Sequence, residues 1–377
     1  MPTVREGGSV FSSFDDLANR PVGWLSGEGD HAGLVLSSRV RLARNLVKHR
    51  YPVRAEPDEA REIVQFVKTA IDKTALARDG SFFESESLSD ADRDLLIERH
   101  LISPEFMHDE LPRGLYVDDE VTSSLMVNEE DHLRIQAVRS GLDLRQAMER
   151  ARAIEVQLAE GLNFDYDARL GYLTACPTNV GTGLRVSALI HLPGLVLTKE
   201  MDAVLSQMNK VGLTVRGFYG EGSDVLGYLF QISNQTTLGR TEEDLVDSLE
   251  KVTRQLISYE TNARKALFTD ASHQIRDKIW RSFGILTHAR VLTSQEVMNL
   301  LSAVRLGAAM GEPLGLSLGK INDLMLATQP AHLQRFFGKP MTPEERDVAR
   351  ADLVRQHLQK RRRGRKPGGS QGPTRKS

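Results

Sequence analysis

The sequence predicts an α+β fold, in which an antiparallel sheet flanked by helices precedes an all-helical C-terminal region. Three observations lead to this prediction. Between residues 115 and 233, short apolar segments with alternating polar residues recur, and this pattern is typical of strands. Segments with helical spacing lie between them. After Thr241 the pattern changes, and helical periodicity alone continues to about residue 360.

The individual elements follow from the same patterns, with a short apolar run at 34–36 ahead of them. Strands are expected in two stretches of 115–138 joined by an acidic turn, and at 170–175, 185–191, 213–218 and 228–233. Helices are expected at 56–75, 142–162, 199–211, 242–267, 272–283, 294–310 and 343–360. Two of these have clear start signals, a T-x-x-E box at Thr293 and a cap followed by proline at Thr342.

These patterns divide the chain into four predicted parts. A lead-in at 1–25 is rich in Gly, Ser and Asp, and an α+β domain follows at 26–257. A helical domain is predicted at 258–357. The residues from 358 to 377 are rich in basic residues, Gly and Pro, and we expect them to form a disordered tail.

The charge is almost balanced over the whole chain but not along it. The 377 residues include 49 basic and 51 acidic side chains, and eight of the basic ones lie in 360–377, which has no acidic residue. The remaining body therefore has 41 basic and 51 acidic residues, which argues against a nucleic-acid coat protein. With one cysteine, no secretory signal and no apolar segment long enough for a bilayer, the sequence predicts a cytoplasmic protein without membrane contact.

Common motifs for nucleotide and metal binding do not occur in the sequence. It contains no G-x-x-x-x-G-K-[ST], no complete G-x-G-x-x-G after a strand, no H-E-x-x-H and no C-x-x-C. P-loop, Rossmann, zincin and zinc-ribbon sites are therefore not expected.

Arginines on predicted strands and loops are the first candidate functional residues. They are Arg39, Arg41, Arg134, Arg185 and Arg216. The guanidinium group matches phosphate oxygens with a planar set of donors, and its burial without an anion is costly. Five converging arginines would bind a polyphosphate without a P-loop. The alternative is a set of ordinary surface salt bridges.

Three further segments combine reactive residue types with turn residues. The acidic turn at 128–132 contains Glu129 and Glu130, of which one could bind Mg²⁺ and the other could act as a base. The alternative is an ordinary solvated turn. Cys176 begins a turn rich in Pro, Asn and Gly, where a thiolate could orient a cationic group. The segment 216–222 places an arginine and Glu221 on either side of a glycine turn.

Together these segments resemble the phosphagen kinases, the ATP:guanidino phosphotransferases that include creatine and arginine kinase. Four motifs occur in the family's order, SSRVR at 37–41, NEEDHLR at 128–134, CPTNVGTGLR at 176–185 and RGFYGEG at 216–222. The resemblance covers about residues 30–240 and implies a phosphagen-kinase-like catalytic domain that uses ATP and Mg²⁺. A guanidinium substrate would be held in line with the γ-phosphate and would lose a proton during transfer.

The resemblance also implies roles for individual residues. Glu130 would be the catalytic base, Glu129 would hold Mg²⁺ through water, and Cys176 and Glu221 would contact the guanidinium. The nucleotide would be bound by the five arginines and by neighbouring residues, namely Ser37, Ser38, Val40, His100, Val186, Ser187, Ala188, Leu189, Gly217, Phe218, Tyr219, Gly220 and Glu221.

Two departures from creatine and arginine kinase point to one branch of the family. Those enzymes have a helical substrate domain before the first arginine motif, whereas here that motif begins at Ser37 and a helical region follows the catalytic part. This arrangement is similar to the bacterial enzymes that phosphorylate arginine side chains in proteins. The R-D-x-x-R-A motif at 346–351 matches the same branch. We expect Arg346, Asp347, Arg350 and Ala351 to form a regulatory phosphoarginine site, although a salt-bridged helix face is the alternative.

The resemblance further implies protein substrates, a zinc-binding activator protein, a Clp ATPase or protease in the stress response, and a homodimer. Two other functions stay open from the sequence. One is a kinase of a free small guanidino compound. The other is a non-enzymatic adaptor that binds nucleic acid through the tail, although nucleic-acid binding is not expected because the tail lacks aromatic residues.

Overall fold

The computed structural model describes residues 14–107, 111–210, 212–217 and 226–359. Its strands are β1 (Val35–Arg44), β2 (Gly80–Glu84), β3 (Gly114–Asp118), β4 (Ser123–Val127), β5 (Leu133–Ser140), β6 (Tyr166–Asp167), β7 (Gly171–Tyr172), β8 (Leu184–His191), β9 (Leu213–Gly217) and β10 (Leu229–Asn234). Eight of these strands form one sheet in the order β2-β3-β4-β5-β1-β8-β10-β9. The other two, β6 and β7, form a separate hairpin. Every pairing is antiparallel, as the sequence predicts.

Helices flank the sheet and make up the C-terminal region. Those of the α+β part are α1 (Phe14–Asn19), α2 (Pro57–Asp72), α3 (Leu76–Asp79), α4 (Asp90–Glu98), α5 (Leu144–Ala159), α6 (Pro193–Leu197) and α7 (Met201–Lys210). The later ones are α8 (Glu242–Asp270), α9 (Ser272–His288), α10 (Ser294–Ala309), α11 (Leu318–Ala327), α12 (Pro330–Phe337) and α13 (Pro343–Gln359). The predicted change to all-helical structure after Thr241 is confirmed.

The central strand β1 separates two different faces of the sheet, because successive side chains of a strand point to opposite sides. Val40 and Leu42 point to one face, where they join a buried cluster with residues of α2, α5 and α8. Arg39 and Arg41 point to the other face. The apolar face is therefore anchored on helices, which leaves the opposite face to carry polar groups.

The C-terminal helices pack against one end of this second face. Leu36, Leu189 and Leu229 from the sheet belong to the same buried cluster as residues of α9 to α13. Beneath this contact lies a buried polar network, in which Glu260 accepts hydrogen bonds from the backbone of Gly194 and Leu195 and from Arg264. Arg264 also donates to His191 O at the end of β8, so the helical region is joined to the sheet by both apolar and polar contacts.

The structure corrects several predicted elements. The expected strand at 170–175 is reduced to Gly171–Tyr172, because Leu173 and Ala175 bond to loops elsewhere in the chain. The stretch 115–138 holds three strands rather than two, although the acidic turn does join β4 to β5. A short helix, α1, lies in the predicted lead-in, and α4, α11 and α12 were not anticipated.

Two further predictions concern the domain boundary at residue 258 and the basic tail. The helix predicted at 242–267 extends to Asp270 and so crosses the proposed boundary at 258 without a break. The basic tail lies outside the described residues apart from its first positions. Among the helices that are described, none has the length and apolar character needed to cross a bilayer.

Candidate active site

Five arginines from four strands share one face of the sheet. Arg41 lies opposite Arg185 of β8 and Gln136 of β5, and Arg134 is opposite Ala43. Gln231 of β10 continues the row, because it pairs with Leu189 on one side and with Arg216 of β9 on the other. Cross-strand partners point to the same side of a sheet. The structure therefore brings Arg39, Arg41, Arg134, Arg185 and Arg216 to one surface, as the sequence suggested.

The arginines perturb one another because like charges lie close together in a partly buried place. Burial, followed by the charges of Arg134 and Arg185, lowers the pKa of Arg39 to about 10. Burial and the charges of Arg39, Arg134 and Arg185 hold the pKa of Arg41 well below its usual value. The pKa of Arg185 is lowered by burial and then by Arg216. The cluster is thus a site where added negative charge is favourable.

Hydrogen bonding within the cluster leaves donors unused. Arg39 donates to the neutral groups Ser187 Oγ at 3.4 Å and Gln231 Oε1 at 2.8 Å. The Nε atoms of Arg41 and Arg185 are buried without a hydrogen-bond partner among the described residues. Buried polar groups are seldom left unsatisfied, so these orphaned donors fit an anionic ligand such as a polyphosphate.

A pocket lies at one end of the arginine row. Its lining consists of Trp24, Ser37, Arg39, His100, Val138, Ser187, Leu189 and Gln231. The His100 ring packs edge-on against the Trp24 ring with centroids 5.6 Å apart. Burial and then the Arg39 charge lower the pKa of His100 to about 3, so the imidazole is neutral. A partly aromatic pocket with a cation at its edge suits a nucleoside joined to phosphates.

Glu129 and Glu130 occupy very different environments despite being adjacent. Glu129 is buried, and both of its oxygens accept from Arg134 Nη1 at 2.5 Å, while Ser103 Oγ donates to Oε1 at 2.5 Å. Burial opposes ionisation of Glu129, but Arg134 and Ser103 together lower its pKa. Glu130 is exposed, and its pKa is raised by partial desolvation and by the neighbouring Asp131. The two carboxylates are therefore suited to different tasks.

The acidic turn is held in place by hydrogen bonds of Asp131 and His132 that no local sequence pattern predicts. Asp131 Oδ1 accepts from Asn45 Nδ2 and from the backbone N–H of Ala175, both at 2.7 Å. His132 Nδ1 accepts from Leu46 N, and its other ring nitrogen lies 2.9 Å from Arg50 O. These bonds tie the turn to the end of β1 and to the Cys176 loop. Only tertiary contacts reveal them.

Cys176 lies beside Glu130. The thiol hydrogen bonds to the Glu130 carboxylate, which lowers the pKa of Glu130 and partly offsets its desolvation. Its sulfur also lies 3.1 Å from Thr178 Oγ1. The turn following the cysteine contains Gly181 and Gly183, both with positive φ. At Gly183 a side chain would collide with Ala43 O, so the loop needs glycine there.

Arg44 supports the Cys176 loop from below, a role that no local sequence pattern indicates. Its side chain is fully buried, and it donates to Glu155 Oε1 at 2.5 Å and to Thr182 O at 2.9 Å. The guanidinium carbon lies 3.5 Å from the centre of the Tyr172 ring. Arg44 also reaches Glu242 at the start of α8. One side chain thus joins β1, α5, α8 and the loop.

The structure does not place every predicted residue at this surface. Val40, Val186 and Ala188 are buried on the opposite, apolar face, and Ser38 is also buried, with its hydroxyl bonded to Gly141 O. Gly217 ends β9 beside the site. The candidates Phe218, Tyr219, Gly220 and Glu221 lie outside the described residues.

The R-D-x-x-R-A segment lies on α13, which packs within the helical region. It is more than a hundred residues after the last arginine of the row in the sequence. Arg350 is buried and donates to Thr328 O at 2.9 Å, Leu292 O at 2.7 Å and Asp347 Oδ1 at 2.5 Å. Arg346 is less buried and donates to Met341 O at 3.0 Å. Ala351 is fully buried. The motif is therefore partly structural, with Arg346 as its more accessible arginine.

Comparison with known proteins agrees with this geometry. The family profile described as "ATP:guanido phosphotransferase, C-terminal catalytic domain" matches residues 62–263. A second profile, "Protein-arginine kinase McsB C-terminal domain", matches residues 272–368. The protein-arginine kinase of Halothermothrix orenii is 44% identical over 92% of this chain and 99% of its own length. The chain belongs to the ATP:guanido phosphotransferase family and, within it, to the protein-arginine kinases.

Other members of this family extend the similarity. The protein-arginine kinase of Geobacillus stearothermophilus is 44% identical over 94% of this chain and 99% of its own length. Lombricine kinase has a similar structure, with a TM-score of 0.55 and 27% identity over 65% of this chain and 70% of that one. For a duplicated taurocyamine kinase from Schistosoma mansoni the TM-score is 0.56, with 26% identity over 66% of this chain and 36% of that one.

Family membership gives the arginine face a chemical meaning. ATP:guanido phosphotransferases use ATP, and the orphaned arginine donors fit its phosphates. Within the ranges that the structure covers, no group of three or more His, Cys, Asp or Glu residues could hold a metal ion directly. A metal bound chiefly through water and nucleotide phosphates, which is usual for Mg²⁺, does not require such a group.

Proposed function

We propose that this chain transfers the γ-phosphoryl group of MgATP to the guanidinium of arginine side chains in proteins, forming phosphoarginine and ADP. The convergence of five arginines on one face of the sheet, next to a carboxylate and a thiol, is the observation that carries this proposal. Phosphoryl transfer needs positioning and stabilisation of charge more than covalent chemistry by the protein. The arginine face meets the second need, and the Glu130–Cys176 pair meets the first.

The nucleotide is bound in two parts in this proposal. Its base and ribose occupy the pocket lined by Trp24 and His100, where the neutral imidazole avoids repulsion from Arg39. Its phosphates lie along the arginines, where Arg41 and Arg185 use their orphaned Nε donors. Because the arginines are already in place on paired strands, little reorganisation accompanies charge development in the transition state.

Glu130 is proposed as the base that takes the proton from the attacking guanidinium nitrogen. A guanidinium has a pKa above about 12 and must lose a proton as the new N–P bond forms. Both oxygens of Glu129 are occupied by Arg134 and Ser103, whereas Glu130 is exposed and its raised pKa makes it a better proton acceptor. This contrast supports Glu130 as the base.

Mg²⁺ is proposed to be held by the nucleotide phosphates and, through water, by Glu129. When bound, the ion offsets negative charge on the transferring phosphoryl group. The ion pair with Arg134 keeps Glu129 ionised, so a carboxylate is present at that place across the physiological pH range. Cys176 is proposed to orient the guanidinium together with Glu130, and Glu221 is proposed as a second carboxylate for it.

The helical C-terminal part is proposed as a separate domain with a regulatory role, which retains the predicted division near residue 258. We propose that Arg346 and Asp347 bind phosphoarginine on α13, with Arg350 and Ala351 supporting them from the buried side of the helix. The accessible position of Arg346 and the mainly structural contacts of Arg350 support this division of roles.

Partners and location are proposed from the family resemblance. We propose that the chain acts in the cytoplasm on proteins with exposed arginines, works with a zinc-binding activator protein, and marks its substrates for a Clp ATPase and protease. A homodimer is proposed as its assembly. The family's C-terminal profile, which matches 272–368, supports this setting.

The proposed function is tested by offering labelled ATP with either an unfolded arginine-rich protein or free L-arginine. We expect acid-labile label on the protein and much less on the free amino acid. Label on free arginine alone would establish a small-guanidine kinase instead. For the adaptor alternative, a chain lacking residues 360–377 is assayed for kinase activity and for salt-dependent DNA binding. Retained kinase activity would make the tail accessory.

A further inference from the structure

The two rings that line the nucleotide pocket, Trp24 and His100, both lie outside the sheet. Trp24 is in the turn Gly23–Leu25 before β1, and His100 follows shortly after the end of α4. A side chain on a loop keeps a defined position only when contacts from elsewhere fix its backbone. Both loops are fixed in part by the consecutive C-terminal helices α11 and α12, neither of which supplies a residue to the described lining of the pocket.

Helix α11 holds the turn that carries Trp24. Trp24 and Leu326 of α11 belong to one buried apolar cluster. Asn322, one helical turn before Leu326, is fully buried, and its Nδ2 donates to Leu25 O at 3.2 Å. Its Oδ1 accepts from Arg305 Nε at 3.2 Å, so partners on both sides fix the orientation of the amide group. The residue next to Trp24 is therefore tethered to the helical region by a buried hydrogen bond.

Helix α12 holds the loop that carries His100. Glu98, the last residue of α4, accepts hydrogen bonds from the backbone N–H groups of Ala331 at 2.7 Å and His332 at 3.0 Å. These groups lie in the first turn of α12, where N–H groups have no partner within the helix and a carboxylate is favourable. The Oε2 atom of Glu98 also lies 2.7 Å from His332 Nδ1. The carboxylate two residues before His100 is therefore joined to both the backbone and a side chain of α12.

Arg99 links the two loops to each other. Its buried guanidinium donates to carbonyl oxygens at the end of α1 and just after it, where carbonyl groups lack partners within the helix. These belong to Leu17 at 2.7 Å, Ala18 at 2.8 Å and Arg20 at 2.6 Å. Arg99 Nε also lies 3.4 Å from His332 Nε2. The segment that leads to Trp24, the residue before His100 and helix α12 thus meet at one side chain.

The backbone of His100 has a conformation that needs such support. Its φ is 58°, in the left-handed region that a residue with a side chain adopts only at a cost. Gln136 Nε2 of β5 donates to His100 O at 2.7 Å and holds the loop from the side of the sheet. Glu98 holds it from the side of α12. The position in which His100 meets Trp24 edge-on therefore depends on contacts from both parts of the chain.

We propose that Asn322 and Glu98 are positioning residues for the nucleotide, through which α11 and α12 set the places of Trp24 and His100. Neither positioning residue lines the pocket, so each acts through the ring that it holds in place. The C-terminal helices thereby determine part of the affinity of the catalytic part for ATP. This rests on the proposed function, in which the base of the nucleotide binds in this pocket.

The test uses two substitutions that keep the size of the side chain. Asn322→Asp retains the acceptor for Arg305 but loses the donor to Leu25 O. Glu98→Gln loses the charge and one of the acceptors at the start of α12. In each variant we expect the KM for ATP to rise about three- to tenfold, while kcat and the KM for the protein substrate stay within about twofold of the wild type.

The matched control is Thr328→Val, which removes a buried hydroxyl at the end of α11. Thr328 Oγ1 donates to Leu324 O of the same helix, so its loss weakens the helix without touching either loop. We expect a lower thermal midpoint but an unchanged KM for ATP. A KM for ATP within about twofold of the wild type in either Asn322→Asp or Glu98→Gln would overturn the proposal, as would an equal rise in the control.

Fluorescence measures nucleotide binding without depending on phosphoryl transfer. Trp24 and Trp280 are the two tryptophans of the chain, and Trp280 lies exposed on α9, so Trp280→Phe leaves Trp24 as the reporter. In this background ATP should change the Trp24 emission, with half-saturation at an ATP concentration about three- to tenfold higher in the two variants. No response of Trp24 to ATP would overturn the positioning proposal. A normal response without any phosphoarginine would instead refute the proposed function alone.

Discussion

Arg41 on β1 and Arg185 on β8 are direct cross-strand neighbours, and each has a buried Nε without a hydrogen-bond partner within the described part of the chain. Like charges placed opposite each other normally destabilise a sheet. This pair of like charges is explained if the phosphates of the nucleotide supply the negative charge that relieves their repulsion. The unliganded fold therefore carries a local electrostatic cost that nucleotide binding removes.

Removing one of these charges should have opposite effects on stability and on binding. We expect Arg41→Gln to leave the thermal midpoint of the nucleotide-free protein unchanged or higher, because repulsion is reduced. Its affinity for ATP should fall by about ten- to a hundredfold. Thermal unfolding with and without ATP measures both quantities. Arg61→Gln, on the exposed surface of α2, is the control. A lower midpoint with normal ATP affinity would mean that Arg41 is structural.

The thiol of Cys176 should set the pH range of activity through Glu130. Glu130 must be ionised to accept a proton, so the rate falls as the pH drops through its pKa. The Cys176 hydrogen bond lowers that pKa, and Cys176→Ala should therefore move the acid limb of the kcat/KM profile to higher pH. Cys176→Ser retains a donor and should shift the limb less. A shift to lower pH in the alanine variant would contradict the assignment.

Arg44 should be one of the most important side chains for stability, although it does not face the site. Its replacement by Met leaves the buried Glu155 without its partner and removes one of the two arginines that pair with Glu242, which costs about 3–5 kcal/mol in the free energy of unfolding. The matched control is Arg152→Met, because Arg152 also pairs with Glu242 but is 44% exposed in its side chain, and its loss should cost under about 1 kcal/mol. Urea denaturation measures both values. Similar losses in the two variants would disprove the special role of Arg44.

The two arginines of the α13 motif should have different roles, Arg350 in stability and Arg346 in phosphoarginine binding. Arg350→Ala should lower the free energy of unfolding by about 2–4 kcal/mol, because buried carbonyls and a carboxylate lose their donor. Arg346→Ala should leave the stability nearly unchanged but weaken the binding of phosphoarginine, measured by calorimetry. If phosphoarginine bound equally well to Arg346→Ala, the proposed regulatory site would be wrong.

The arginine face could be predicted from the sequence, whereas its supporting residues could not. Arg39 and Arg41 are two apart on a strand, so they must share a face, and the order of the motifs suggested that Arg185 would join them. Arg44 and Asp131 act through partners more than eighty residues away in the chain. Local patterns contain no information on such contacts. For the same reason, the strand predicted at 170–175 was wrong in its length, since only Gly171–Tyr172 is a strand.

In the proposed mechanism Glu130 takes the proton while the arginine face binds the nucleotide. The most direct measurement is the yield of phosphoarginine on an unfolded arginine-rich protein, determined by mass spectrometry under conditions that preserve acid-labile phosphate. We expect abundant phosphoarginine with the wild type and almost none with Glu130→Gln, at equal ATP affinity. Full phosphoarginine formation by Glu130→Gln would contradict it.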